Sequence, residues 1–273
     1  MPPSIASIMV QLISSLTGSV PMHSNAKISL PRRRFLQLGT TSLLCGPVLV
    51  QHASSALAQA KPASTPLKIG IVGSGNVGAA VGELWIKAGH EVMFSSRHPE
   101  SLKDMAAKLG PRAHVGTVAQ AAAFGDVIFL AVPYSALPEI GRDNAKALSG
   151  KVVIDASNPI ARRDGPVAEE AMANGIGVTS LKYLPGVRYV RAFNPVGAGE
   201  LRRLSNQPGT PIGMPMAGDD AQAVKTASQL VRDAGFEPVV VPLARAMDFA
   251  PGTPLFGRPT PADELRQRLG AAR

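Results

Sequence analysis

The chain has 273 residues, 45% hydrophobic and 17% charged, with 27 Gly and 24 Pro. That composition excludes a disordered chain, a collagen and a coiled coil, and no apolar run reaches the roughly 18 residues of a membrane span. The formal net charge is +9, but Lys27, Arg32, Arg33 and Arg34 fall in residues 1–60 with no acid beside them, leaving 24 bases against 19 acids in the remainder. Aromatic residues are 4% and interleave with no basic run, so no nucleic-acid partner is expected. Cys45 is the single cysteine, which rules out an internal disulfide framework.

In chain order, residues 1–60 read as an address. Arg32-Arg33-Arg34-Phe35-Leu36 precedes a weakly apolar stretch from Leu38 to Val50, and small residues cluster at Ala56-Leu57-Ala58-Gln59-Ala60. A charged start, an apolar middle and an A-x-A end are the parts of an export signal. The paired arginines before Phe-Leu resemble the twin-arginine (Tat) motif, with Pro31 where Ser or Thr is usual and Gln37 where Lys is common. Cleavage is expected after Ala58 or Ala60, with Met22 as an alternative start. The resemblance implies the Tat translocase as a partner and a periplasmic or secreted product that crosses the membrane folded. Gly39, Gly46 and Pro47 make the segment a poor core helix, and Leu44 before Cys45 disfavours a lipoprotein.

Residues 61–273 form the second unit, with Pro62–Pro66 as a short linker. Strands are predicted at Leu67–Val72, Glu91–Phe94, Ala113–Val115, Asp126–Val132 and Lys151–Asp155. Between them helices are predicted over Asn76–Ala88, Pro99–Leu109, an Ala-rich stretch to Phe124, and Ser135–Leu148. The second half is less regular. It holds strands at Tyr189–Phe193, Pro211–Ala217 and Pro238–Val241, a helix from Asp219 (its expected N-cap) to Ala234 stopped by Gly235, and a short helix at Ala262–Leu269. This alternation predicts an α/β fold: a Rossmann-type, doubly wound parallel sheet with a small C-terminal extension, ligands lying at the carboxyl ends of the strands.

Gly73-Ser74-Gly75-Asn76-Val77-Gly78 matches G-x-G-x-x-G. It follows an apolar strand and opens an amphipathic helix, the context in which this loop holds a dinucleotide. Gly73 permits the turn, Gly75 leaves the backbone bare toward a pyrophosphate, and Gly78 lets helix and strand pack closely. The helix N-terminus adds free N–H groups and partial positive charge. Past the second strand stands Ser95-Ser96-Arg97, where an NAD binder would place Asp or Glu. A carboxylate would repel a 2′-phosphate, whereas Arg offers a permanently charged fork, so NADP(H) is the expected cofactor.

Five segments together resemble a family: Ile69 to Gly75, Ser95-Ser96-Arg97, Ala131-Val132-Pro133, Asp155 to Pro159, and Arg191-Ala192-Phe193-Asn194. They are similar to the NADPH-dependent reductases of the deazaflavin coenzyme F420, and the likeness spans nearly all of residues 67–270. The resemblance implies a Rossmann domain with a small C-terminal part, a homodimer, and hydride transfer between NADP(H) and a deazaflavin or flavin-like co-substrate. By position, Ser74, Asn76 and Val77 would meet the pyrophosphate, and Ser96 and Arg97 the 2′-phosphate. Ala131, Val132 and Pro133 would line the ribose and nicotinamide side, and Asn158 and Pro159 would border the nicotinamide. Phe193 and Asn194 would close the acceptor side. The chain departs from the family at Asn194-Pro195 and in its proline-rich end, Pro242 to Pro261.

Hydride transfer between flat rings needs little acid–base help, which fits the absence of H-E-x-x-H, C-x-x-C and G-x-S-x-G. No catalytic residue and no metal ligand is assigned; His90, His98 and His114 are read as structural, and Asp155, at the end of a strand, as a structural cap at least as readily as a proton relay. Alternatives are an exported, non-catalytic NADP(H)-binding protein, a structural partner that keeps only the fold, and a small-substrate dehydrogenase of the hydroxyacid or imine reductase superfamily. The about thirty residues after Val241 are too few for the helical domain that completes those dehydrogenase sites.

Overall fold

Runs of β-branched and aromatic residues become the strands of one sheet in the computed structural model, which describes residues 65–272. The export-signal reading, including Cys45, lies outside the described residues. The strands are β1 (Lys68–Val72), β2 (Glu91–Ser95), β3 (Ala113–Gly116), β4 (Val127–Leu130), β5 (Val152–Asp155), β6 (Arg188–Ala192), β7 (Ile212–Ala217), β8 (Glu237–Val241) and β9 (Thr260–Pro261). Their order is β3-β2-β1-β4-β5-β6-β7-β8, with β9 on β7. β1 to β6 pair in parallel, β7 pairs antiparallel to β6, and β8 runs parallel to β7. The C-terminal extension thus continues the same sheet.

Eleven α-helices connect and cover these strands within the described residues. They are α1 (Asn76–Lys87), α2 (Lys103–Leu109), α3 (Val118–Phe124), α4 (Leu137–Asp143), α5 (Ala145–Leu148), α6 (Ala161–Asp164), α7 (Pro166–Asn174), α8 (Ile176–Tyr183), α9 (Ala198–Leu204), α10 (Ala221–Asp233) and α11 (Ala262–Leu269). Strand side chains alternate between two apolar layers, as the pleat demands. Ile69, Ile71, Phe129 and Ile154 pack with Trp85, Leu201 and Leu230 on one face. Val72, Ile128, Leu130 and Val153 pack with Leu137, Ile176 and Phe249 on the other. The Trp85 indole N–H donates to the Leu230 carbonyl at 2.8 Å inside the first layer, tying α1 to α10.

The structure departs from the sequence reading at three places. The helix expected over Ser135–Leu148 breaks at Asn144, whose amide donates back to the Ile140 carbonyl at 3.0 Å. The N-cap of α10 is Asp220, not Asp219. Asp220 accepts the Ala223 N–H at 2.8 Å, and Asp219 instead accepts the Leu243 N–H at 2.9 Å, anchoring the segment after β8. Residues 161–183 hold α6, α7 and α8, which their weak apolar periodicity did not disclose. Gly235 does stop α10, at φ +88°.

Candidate functional site

The chain reverses its direction of sheet growth between β1 and β4, so the carboxyl ends of these neighbours form the crevice where α/β sheets take ligands. The glycine loop lies there. Gly73 has φ +93°, and a side chain on it would meet the Ala131 carbonyl oxygen at 2.5 Å. A side chain on Gly78 would meet the Gly73 carbonyl oxygen at 2.1 Å. A side chain on Gly75 would meet nothing within 4 Å. Two glycines are therefore required by packing, and the middle one faces open space that a ligand can enter. Gly75 also caps α1 without a side-chain bond, and the N–H groups of Asn76, Val77 and Gly78 precede the first intrahelical bond, Ala79 to Gly75 at 2.9 Å. The Ser74 hydroxyl is buried and, among the described residues, has no hydrogen-bond partner. An open approach, free amides and an orphaned hydroxyl fit a diphosphate.

The end of β2 is fastened to this loop. Ser74 N–H donates to the Ser95 carbonyl at 3.0 Å, and the Ser95 hydroxyl donates to the Ile71 carbonyl at 2.7 Å. The next two residues therefore leave the sheet beside the loop. The Ser96 hydroxyl accepts the His98 N–H at 2.8 Å. Arg97 is exposed, and among the described residues its guanidinium forms no hydrogen bond or ion pair. A cation with no internal partner, beside a diphosphate cradle, is free to meet a second phosphate.

The loops after β4 and β5 complete the crevice. Ala131 N–H donates to the Val72 carbonyl at 2.9 Å and Ala156 N–H to the Leu130 carbonyl at 2.8 Å, which keeps the two loops level with β1. Ala131 and Val132 are half-buried and Pro133 is exposed, while Pro159 is buried. Asp164, its side chain fully buried, joins the two loops. It accepts the Ser135 N–H at 3.2 Å and hydroxyl at 3.0 Å from the β4 side, and the Ile160 N–H at 2.9 Å from the β5 side. Arg163 adds bonds at 3.0 and 2.9 Å.

Burial pushes the Asp164 carboxyl upward, but the bonds from Arg163, Ile160 and Ser135 win and hold its pKa below the ordinary value. A depressed folded pKa contributes stability above the unfolded value near about 4, and that stability is lost as pH falls through the folded value. Asp164→Asn is accordingly expected to cost about 2 kcal/mol at pH 7, with the gap to wild type closing below about pH 4. Urea unfolding at the two pH values measures it.

A polar network fills the end of β5 and β6. Asp155 accepts the Ser157 N–H at 2.8 Å and the Tyr189 hydroxyl at 2.6 Å, with the Ser180 hydroxyl at 3.4 Å. The Ser180 oxygen lies 3.0 Å from the Tyr134 hydroxyl. Burial, followed by the Asp155 charge, raises the Tyr189 pKa far above its ordinary value, so the phenol stays protonated and donates. Asn194 donates to the Asp155 and Ser157 carbonyls at 3.1 and 3.0 Å, and Asn158 donates to the Asn194 carbonyl at 2.9 Å.

The structure corrects the expectation for Phe193. Its φ is +66°, an uncommon backbone for a bulky residue, and its side chain is in the core instead of on the acceptor side. The ring packs edge-on against Trp85 and Phe129 with centroids 5.8 and 5.7 Å apart. That packing holds the strained turn and directs Asn194 back across β5. Asn194 is itself buried, a clamp between loops. His90 is structural as expected: it accepts the Leu67 N–H at 3.1 Å and lies 3.2 Å from Asp233. Sequence reasoning missed Asp164, which carries no local signal. It also assigned no role to Arg191, whose signal was a charge set between Val190 and Ala192 in β6.

Among the described residues no cluster of His, Cys, Asp or Glu could hold a metal ion, and no helix is long and apolar enough to cross a membrane. What the sheet order and the crevice define is a Rossmann-like α/β fold with a glycine loop at its switch point. Residues 68–159, which span the glycine loop, Arg97 and the loops after β4 and β5, match the family model described as NADP oxidoreductase, coenzyme F420-dependent. The match covers that segment, about a third of the chain. The chain is also 29% identical over 175 residues to metalloreductase STEAP3 of Rattus norvegicus, covering 63% of this chain and 33% of that protein. It thus spans about a third of the curated relative's length.

Among solved structures, the hypothetical protein SMa0349 of Sinorhizobium meliloti is similar with a TM-score of 0.63 and 26% identity, over 72% of this chain and 96% of that one. A candidate F420-dependent NADP reductase of Arthrobacter sp. FB24 shares the fold at a TM-score of 0.54 and 21% identity, over 66% of this chain and 87% of that one.

Proposed function

We propose that this protein binds NADP(H) in preference to NAD(H) and passes hydride between it and a flat-ring acceptor of the deazaflavin or flavin class. The observation that carries the reading is the unpartnered Arg97 beside a glycine loop whose middle position opens onto free space. When bound, the nicotinamide ring supplies or takes the hydride. The chain's own residues bind and orient. Ser74 and the amides of Asn76 and Val77 take the pyrophosphate, and Ser96 and Arg97 take the 2′-phosphate. Val132 and Pro133 offer an apolar wall that keeps water off the ring. Both Asp155 carboxylate oxygens are engaged and Tyr189 stays protonated, so no group is assigned to move a proton. The proline-rich segment after β8 reaches the β6 turn through Gly257 N–H to the Pro195 carbonyl at 2.8 Å, which supports that end as the acceptor side.

The test is direct. Purified protein is mixed with NADPH and offered a deazaflavin, FMN, FAD and a ferric chelate in turn, while the reduced-nicotinamide absorbance is followed. Loss of absorbance with a flat-ring acceptor, at least about tenfold slower with NADH, is the expected result. Tight binding with no oxidation by any acceptor would favour a non-catalytic NADP(H)-binding protein. Export through the Tat translocase belongs to the same proposal and rests on Arg32 and Arg33. Changing both to Lys is expected to hold the protein in the cytoplasm on cell fractionation.

A further inference from the structure

Arg191 lies on β6 opposite Asp155 of β5, at the end of the sheet where the crevice opens, and is 0% exposed. Among the described residues its guanidinium bonds to no carboxylate. One arm donates to the Ser157 carbonyl at 2.6 Å and the other to the Asn158 side-chain oxygen at 2.7 Å. The Phe249 ring covers it at 5.8 Å. An apolar residue of similar volume would fill this place in the core with no charge to desolvate. What the charge adds is a planar fork that grips two consecutive groups of the β5 loop, a grip the point charge of Lys cannot reproduce.

Through that grip the orientation of Asn158 is determined. Its oxygen faces Arg191, and its nitrogen faces the Asn194 carbonyl at 2.9 Å. Asn194 returns two bonds to the same loop, to Asp155 and Ser157. The loop after β5 is thereby a braced edge. Ser157 Oγ, Asn194 Oδ1 and Arg191 Nε are buried there with no partner among the described residues.

We propose that Arg191 is a positioning residue for the nicotinamide half of the dinucleotide: it locks the Ser157–Asn158 edge against which that half packs, and does not touch the adenosine half. The inference rests on the binding mode given under the proposed function. Two ligands separate the two claims. NADPH spans the whole site, whereas adenosine 2′,5′-bisphosphate carries the 2′-phosphate but no nicotinamide.

Calorimetry with the full chain is run on wild type, Arg191→Lys and Asn158→Ala, with circular dichroism to check folding. Arg191→Lys is expected to weaken NADPH by about tenfold, the loss of one charge-assisted hydrogen bond, and to weaken the bisphosphate by less than about twofold. Asn158→Ala, at a half-buried position, is expected to show the same split, and the double variant is expected to be no worse than the single ones together imply from a shared contact. Equal weakening of both ligands in folded variants would overturn the proposal in favour of a purely structural arginine. So would unchanged NADPH binding. If Arg191→Lys does not fold, Arg191→Met, which fills the same core volume without the fork, decides by the same split. Wild type that binds neither ligand would overturn the binding mode itself, a result visible before any variant is compared.

Discussion

Arg97→Asp is expected to raise the NADPH dissociation constant by on the order of 10²–10³-fold while changing that of NADH by less than about threefold. The free protein loses nothing: the wild-type guanidinium is exposed and unpaired among the described residues, so its removal breaks no internal contact. Thermal stability stays close to wild type. The bound state loses charge-assisted bonds to a doubly charged phosphate and gains a repulsive carboxylate in their place. NADH carries a hydroxyl at that position, for which the new carboxylate is an acceptor. Because the contact is open to solvent, raising the salt concentration is expected to shrink the wild-type preference for NADPH. Titration calorimetry of both dinucleotides at two ionic strengths measures the whole pattern. Parallel losses for NADPH and NADH would remove the case for phosphate recognition.

The second large effect separates two glycines of one motif. Gly75→Val places a branched side chain in space that is empty of protein, with φ −72° and ψ −160°, a backbone any residue adopts. The variant is expected to fold with a melting temperature near wild type and to bind NADPH at least about 100-fold more weakly, because the side chain occupies the approach to the α1 amides. Gly78→Ala does the reverse. Its methyl group would sit 2.1 Å from the Gly73 carbonyl oxygen, so helix and strand must separate. A stability loss on the order of 3 kcal/mol is expected, with dinucleotide binding falling as a consequence of displaced backbone. Denaturant titration beside calorimetry distinguishes them. A Gly75→Val protein that binds NADPH normally would show that no diphosphate passes there.

Much of the site was legible because it depends on short-range chemistry. The glycine loop can be read from spacing alone, since one tight turn and one close helix–strand approach each demand a missing side chain. Ser95-Ser96-Arg97 can be read because the register of β1 and β2 brings Val72 opposite Ser95, so the chain just past β2 must emerge beside the loop. Runs such as Val127–Leu130, buried at every position, declare a central parallel strand by composition.

Other features depend on groups far apart in the chain. Asp219 reads as the cap until Leu243 arrives from the end of β8 and takes it, which leaves the cap to Asp220. Phe193 reads as a cleft aromatic until its positive φ turns it beneath the sheet edge to meet Trp85 and Phe129. Asp164 looks like one more surface acid after two arginines, yet it joins the loops of two strands.

Local periodicity and turn chemistry decided, from the residues alone, that this chain builds a Rossmann-type sheet with a glycine loop at its switch point, and they set beside that loop the arginine on which the NADP(H) proposal rests. Which side chains brace that sheet's open edge was decided only when β5 and β6 were laid side by side. A buried arginine of β6 and two asparagines from the turns after β5 and β6 have no bond to make until tertiary structure removes their water and puts each within reach of the other.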